Sequence, residues 1–452
     1  MLGIIAWKVT SRLAVAASWL PRPVYFRLIS WVLQPLLDLA RGDGQKPAGN
    51  TTAAQDRVVL ESPQGSAPAR LAAEAQTVPA ATKGRRALVI DGFTPTPDRD
   101  AASLDVYWFM RILLGLGYEV TFVPAFSTAH AGRYTDDLRA LGIVCPVAPV
   151  LNSARDFVAA EGSTFDLVAL YRITVAADLV DLVRQHAPKA KLVFNTVDLH
   201  FLRDQRQAEV SGQLQAFVEA KRREEKELAV IRAADAAVLL SDFEYDYVGR
   251  HAPGAHRVFI PLAMPVPGRL APYEGRAGVL FVGGFAHAPN VDAVHFLCGT
   301  IWPLVRRLLP DAKLFVVGAN PPAGIAAYHA PSAGVEIKGF VEDLTELYRS
   351  ARVAVAPLRY GAGLKGKVVA SLAAGLPCVV TSVGGEGMPG GGAKGIEIAD
   401  DPAEFARAIV DIHSSAERWT RMSDAGTAYA RKNFSVEAVG AQVQAMLKSL
   451  GL

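Results

Sequence analysis

The chain has 452 residues, 51% of them hydrophobic and 20% charged, and a formal net charge of +3. That length suits two or three domains of ordinary globular composition, and the small charge excludes the basic stripe of a nucleic-acid binder. Cys145, Cys298 and Cys378 stand far apart in apolar runs without a CxxC or Cys/His spacing, which excludes a zinc site and a disulfide framework. Three reduced core thiols in a cytoplasmic protein are expected instead.

Residues 1–40 open the chain with Ile5, Val9, Leu13, Ala16 and Leu20 at helical spacing, flanked by Lys8 and Arg12. The longest charge-free apolar stretch, Leu28–Leu37, contains Pro35 and falls short of the roughly 20 residues a spanning helix needs. No A-x-A cleavage site follows, so a secretory signal is not expected. The segment reads either as an amphipathic helix lying on a membrane surface, at the inner face of the plasma membrane, or as a helix docked on protein. Residues 41–84, rich in Ala, Pro, Gly, Gln and Thr, read as a flexible linker.

From Arg85 short β-rich runs alternate with helical stretches: Ala87–Asp91, Glu119–Pro124, Ile143–Val147, Asp166–Tyr171, Lys191–Thr196, Ala237–Ser241 and Val258–Pro261. A Pro/Gly-rich hinge at Pro265–Gly275 interrupts the pattern. It resumes with Gly278–Gly283, Lys313–Gly318, Val335–Gly339, Val353–Leu358, Pro377–Thr381 and Gly395–Ala399, with helices such as Asp292–Leu309 between them. Helices over Pro402–Ser414, Ala416–Lys432 and Val436–Leu450 are expected to close the chain. Strand–helix alternation predicts two doubly wound parallel α/β domains, over 85–265 and 276–433, with a terminal helix at 434–452. A ligand cleft is expected at the carboxyl ends of both sheets.

After the strand Val353–Leu358, Gly361, Gly363 and Gly366 form a G-x-G-x-x-G that opens a helix. Such glycines let backbone approach a diphosphate, and the helix start adds N–H groups and positive dipole. Arg359, Lys365 and Lys367 supply cations in the same segment, which begins Arg359-Tyr360. Glu386, twenty residues after Gly366, stands where an acid would hydrogen-bond a ribose. The spacing also matches a dinucleotide fingerprint, so an NAD-dependent oxidoreductase is the alternative. That fingerprint normally opens the first βαβ unit of its domain, whereas this one follows a fourth strand.

The segments FVGGFAHAPNVDAV (Phe281–Val294), LFVVG (Leu314–Gly318) and Val335–Met388 resemble the donor domain of glycosyltransferase family 4, of GT-B fold. TVDLHFLR (Thr196–Arg203) and LLSDFE (Leu239–Glu244) resemble, more loosely, two stretches of its first domain. The resemblance implies transfer of a sugar from a nucleotide-diphosphate sugar to a glycan or lipid-linked acceptor, with retention; no metal or cofactor is expected, because Lys365, Lys367, Arg359 and the helix dipole supply the positive charge. It places Gly283, Gly284 and His287 beside the donor, and Asn290 either there or as a helix cap. It also implies that His200 lies beside the transferred sugar, with Asp198 as its orienting partner or as a turn residue.

One departure from the family pattern concerns its Glu-x7-Glu pair, whose positions hold Ala362 and Ala370 here. Ser371 or Glu386 is then expected to make the ribose contact, and a catalytically impaired binding protein is a second alternative. Three charged features receive plain readings. Asp98 and Asp100, a formal D-x-D, shape a loop; Glu244 belongs to a capping box; KRREEKE (Lys221–Glu227) is a solvated helix face.

Overall fold

A computed structural model describes residues 84–388 and 395–452. The segment 1–40 and all of the 41–84 linker except Gly84 lie outside the described residues.

The first half builds β1 (Arg86–Asp91), α1 (Ala101–Gly115), β2 (Glu119–Pro124), α2 (Arg133–Ala140), α3 (Ala154–Glu161) and β3 (Leu167–Tyr171). It continues with α4 (Ile173–His186), β4 (Lys191–Asn195), α5 (His200–Ser211), α6 (Leu214–Ala233), β5 (Ala236–Leu239), α7 (Asp242–His251) and β6 (Arg257–Phe259). These six strands form one sheet, in the order β2-β1-β3-β4-β5-β6, and every pairing is parallel. Burial on both faces explains why the strands read as continuous apolar runs such as LVALY and KLVFN.

The second half builds β7 (Val279–Val282), α8 (Ala288–Phe296), α9 (Trp302–Leu308), β8 (Leu314–Val317), α10 (Ala323–Ala326), β9 (Val335–Gly339), α11 (Thr345–Ser350) and β10 (Val353–Ala356). It ends with α12 (Gly366–Ala373), β11 (Cys378–Val380), α13 (Ser382–Gly385), β12 (Ile396–Ile398), α14 (Pro402–Ser414), α15 (Ala416–Phe434) and α16 (Val436–Ser449). Its strands are again all parallel, in the order β12-β11-β10-β7-β8-β9. Strand order reverses between β1 and β3 in one sheet and between β7 and β10 in the other. Loops leaving the carboxyl ends of those strands diverge and leave a crevice, the usual ligand site of such sheets. The expected pair of doubly wound Rossmann-like sheets is therefore present.

Three expectations need correction. Ile143–Val147 contributes only a single bridge, Val144 to Thr121, because Pro146 has no N–H to extend a ladder. Asp292–Leu309 is not one regular helix, since a π turn at Leu297–Ile301 separates α8 from α9, beside Pro303. The run Lys221–Glu227 is not a solvated face throughout: Glu224 is 8% exposed and Glu227 fully buried. The C-terminal helix α16 returns to the first half, where Val439, Val443, Met446 and Leu447 share a core with Trp108, Phe109 and Ile112 of α1. Burying each such side chain stabilises the fold by about 1.5–3 kcal/mol.

Candidate active site

At the switch point of the second sheet, Gly283 and Gly284 leave β7 and the glycine loop leaves β10. Gly361 and Gly363 have φ of 148° and 65°, conformations that side-chain-bearing residues rarely adopt. A Cβ on Gly283 would stand 2.8 Å from Cγ of Asn290, and one on Gly366 would stand 2.5 Å from Cβ of Ala101. The glycines thus serve close packing against the first turns of α8 and α1 as well as backbone freedom.

Lys365 is 9% exposed, and its Nζ donates to the carbonyls of Ala362 (3.1 Å) and Gly363 (2.5 Å). Burial lowers its pKa, against the pull of Glu386. Lys367 donates to Oδ1 of Asn290, whose Nδ2 donates to Gly284 O at 2.8 Å. Burial, then the charge of Lys365, lowers the Lys367 ammonium to about 7. Neither ammonium has a carboxylate at ion-pair distance among the described residues. Asn290 therefore links the two loops, and α8 begins at Ala288 with His287 as its N-cap. The His287 ring is within electrostatic reach of Arg203, Lys367, Asp198 and Lys365.

Other expected donor residues are placed differently. Arg359 is tied to Asp292 through two bonds, the Nε–Oδ2 one at 2.9 Å, and is 44% exposed along its side chain. That pairing commits its guanidinium to Asp292 of α8. Tyr360 beside it is buried, and burial raises its hydroxyl pKa. Ser371 is fully buried and donates to Val368 O at 2.8 Å within α12, so its hydroxyl is already spent. Glu386 is held by Arg206 of α5 in two bonds, at 2.7 and 3.0 Å. Ala362 packs into the apolar core of the first half and Ala370 against that of the second. A carboxylate at either position would lie among apolar side chains.

From the first half, the loop after β4 brings Asp198 against the glycine loop, where a Cβ on Gly363 would stand 3.0 Å from Cβ of Asp198, and His200 opens α5 just after it. Val197 adopts φ of 63°, a costly conformation for a β-branched residue, and Asn195 Oδ1 accepts its N–H at 2.9 Å. Asn195 is anchored in turn, donating to buried Asp105 at 3.0 Å. The Asp198 carboxylate lies 3.3 Å from His200 Nε2 and 2.7 Å from Arg203 Nη1. Burial lowers the His200 pKa to about 4; Asp198 opposes this, while Arg203, Arg223 and Arg172 reinforce it. A neutral imidazole is therefore the form present at neutral pH, suited to hydrogen bonding rather than to charge.

Sequence reading missed Arg203 and Arg206, although the i, i+3 spacing makes Arg203 a neighbour of both His200 and Arg206 on α5. It also missed Glu227 and Glu244 as partners of α5. Glu244 N–H does donate to Ser241 Oγ (3.1 Å), but the Glu244 carboxylate reaches Leu199 N rather than completing a capping box. Asp98 is engaged by Arg133 (2.5 Å) and Tyr134 (3.1 Å), and Asp100 caps α1 through Ser103.

Comparison with known proteins agrees with this fold. Residues 276–415 match the family model described as glycosyl transferases group 1. Sucrose-phosphate synthase from Thermosynechococcus elongatus superposes with a TM-score of 0.62 at 16% identity, over 81% of this chain and 99% of that one. Anabaena Alr3699/HepE in complex with UDP gives 0.60 at 11% identity, over 81% and 100%. Trehalose 6-phosphate synthase from Burkholderia multivorans gives 0.56 at 13%, over 82% and 97%. An uncharacterized 44.6 kDa protein in the cps region of Klebsiella pneumoniae is 24% identical over 169 residues, 36% of this chain and 43% of that protein. The chain thus spans less than half the length of that curated relative. Its fold is that of the GT-B glycosyltransferases.

Proposed function

We propose that this chain transfers a sugar from a nucleotide-diphosphate sugar to an acceptor such as a surface polysaccharide or lipid-linked glycan. The observation that carries this reading is the pair Lys365 and Lys367: two ammonium groups without a carboxylate partner, in a glycine loop at the N-terminus of α12, at a sheet switch point. A buried amine whose desolvation outweighs the pull of Glu386 gains most from an arriving anion. A loop already shaped by Gly361 and Gly363 needs little reorganisation to receive one.

In the reaction, the bond from the sugar's anomeric carbon to the diphosphate oxygen breaks and its electron pair leaves with the nucleoside diphosphate. Lys365, Lys367 and the first amides of α12 stabilise that developing charge. The acceptor hydroxyl forms the new bond to the anomeric carbon on the same face, which gives retention, and its proton passes to the departing phosphate. His200, neutral at neutral pH, orients a sugar hydroxyl, and Asp198 fixes its ring. Gly283, Gly284 and His287 line the donor side. A ribose contact from Glu386 would use the carboxylate lone pairs that its two bonds to Arg206 leave free.

UDP is the first probe, because the structural neighbour HepE is seen with it. Titration with UDP, GDP and NAD separates the alternatives: NAD binding without nucleoside diphosphate binding overturns the proposal. Lys365→Ala should weaken diphosphate binding at least tenfold, and a change within about twofold refutes the phosphate assignment. A second reading, a GT-B protein that binds nucleotide sugar without transferring it, is favoured by the apolar packing of Ala370. Diphosphate binding with neither hydrolysis nor transfer across a nucleotide-sugar panel would select it.

Among the described residues no helix is long and apolar enough to cross a membrane. We place the chain at the cytoplasmic membrane surface through residues 1–40. A chain starting at Arg85 should leave the membrane fraction; unchanged partitioning refutes this.

A further inference from the structure

The first turn of α5 is built on two buried carboxylates from other helices. Leu199 N donates to Oε1 of Glu244 on α7 at 2.8 Å. His200 N donates to Oε1 of Glu227 on α6 at 3.3 Å, and Phe201 N to Oε2 of the same residue at 3.2 Å. Three consecutive amides that would otherwise lack partners are thereby satisfied, and both acids are fully buried. No residue of α5 itself provides this cap. A helix that needs only a cap obtains one from a local Ser, Thr, Asp or Asn at much lower desolvation cost.

The geometry is also one-sided. Oε2 of Glu244 is buried without a hydrogen-bond partner, so that carboxylate meets a single amide. Just upstream, Val197 is held at positive φ by Asn195. The segment 197–201 is therefore fixed from three elements: β4 through Asn195, α6 through Glu227 and α7 through Glu244.

We propose that Glu227 and Glu244 are positioning residues of the site, which act through the backbone of Leu199–Phe201 to hold the His200 ring buried beside Asp198. The assignment rests on the reading of His200 as a site residue. It absorbs both charged motifs, KRREEKE and SDFE, that the reaction itself leaves unused. The groups that act on the His200 ring are Asp198, Arg203, Arg223 and Arg172. Glu227 and Glu244 meet the backbone amides of Leu199–Phe201, so an effect of either on the ring is expected through position.

The test is NMR titration of the 13C-histidine-labelled full chain, with the His200 signal identified by its loss in His200→Asn. In the native protein the midpoint should lie near 4, far below the ordinary 6.5. Glu227→Ala should raise it by at least one pH unit as the ring gains water. Glu227→Gln, which keeps one acceptor oxygen, should fall between, and Glu244→Ala should move the midpoint in the same direction. Glu224→Ala is the control: Glu224 is a buried acid on the same helix, bonded to Lys221 and Tyr247 and to no amide of α5. It should lower thermal stability without moving His200. A midpoint that stays or falls in folded Glu227→Ala, or that rises as much in Glu224→Ala, overturns the proposal. Where Glu227→Ala does not fold, Glu227→Gln against Glu224→Gln makes the same distinction. The measurement needs neither donor nor acceptor, so it fails or succeeds separately from the transferase reading.

Discussion

Arg206 of α5 and Glu386, which follows α13, face each other in a two-bonded ion pair, and Arg206 Nη1 also donates to Gly361 O at 2.6 Å. One side chain from the first sheet's unit thus grips both the candidate ribose acid and the glycine loop of the second. Its guanidinium also lies over the Phe243 ring at 4.9 Å. The two side chains are only 17% and 13% exposed, so their charges are weakly screened.

Removing one partner of such a pair should cost more than removing both. Arg206→Ala leaves Glu386 buried without its hydrogen-bonded partner, with only the charge of Lys365 nearby, a loss on the order of 3 kcal/mol. Arg206→Ala with Glu386→Ala should recover a substantial part of that loss. Urea unfolding of the two singles and the double measures the coupling, and strict additivity contradicts a direct pair.

Stability should fall as pH drops from about 6.5 to 4, in part through His200. In that window the unfolded chain binds a proton at this imidazole that the folded chain, with its pKa lowered to about 4, does not. The contribution is fully present above 6.5 and lost as pH falls through 4, amounting to roughly 3 kcal/mol. The wild-type and His200→Gln stability curves should therefore converge towards acid pH; parallel curves would show that the imidazole is not desolvated.

Arg276 carries a separate structural duty at the start of the second sheet's unit. It is 1% exposed and donates to the carbonyls of Ala271, Pro272, Tyr348 and Ala351, with its guanidinium 4.8 Å from the Trp419 ring. Arg276→Met keeps most of the volume but strands those carbonyls, and should destabilise by about 3 kcal/mol. Arg276→Lys should recover only part of this, since one ammonium cannot span four acceptors in two directions. Calorimetry on the three proteins checks the order.

The Asp98/Asp100 pair should prove indifferent to metal. Asp98 is committed to Arg133 and Tyr134, and Asp100 to the N-terminus of α1. UDP affinity should be the same within twofold with and without EDTA, and in Asp98→Asn. Asp100→Ala should instead cost about 1 kcal/mol of stability, the ordinary worth of an N-cap. A loss of UDP binding in EDTA would overturn the metal-free reading.

Much of this protein is determined by local pattern. Runs such as RALVID and LVALY, bounded by turn residues, set the strands, and the spacing of Gly361, Gly363 and Gly366 before α12 marks the anion loop. Both are short-range properties, because strand burial on two faces and positive φ at glycine act within a few residues. The tertiary structure decided what each charge does. Arg359 and Lys365 stand six positions apart, yet Asp292 draws one outward while backbone carbonyls hold the other within the loop. Glu227 sits in a run that is all charge by composition, and is buried because the first turn of α5 brings two unpaired amides against it. Partners of that kind lie 26 to 180 residues apart in the chain, as with Phe201–Glu227 and Arg206–Glu386. No periodicity spans such separations; only packing of the two sheets' helices and loops brings the groups within bonding distance.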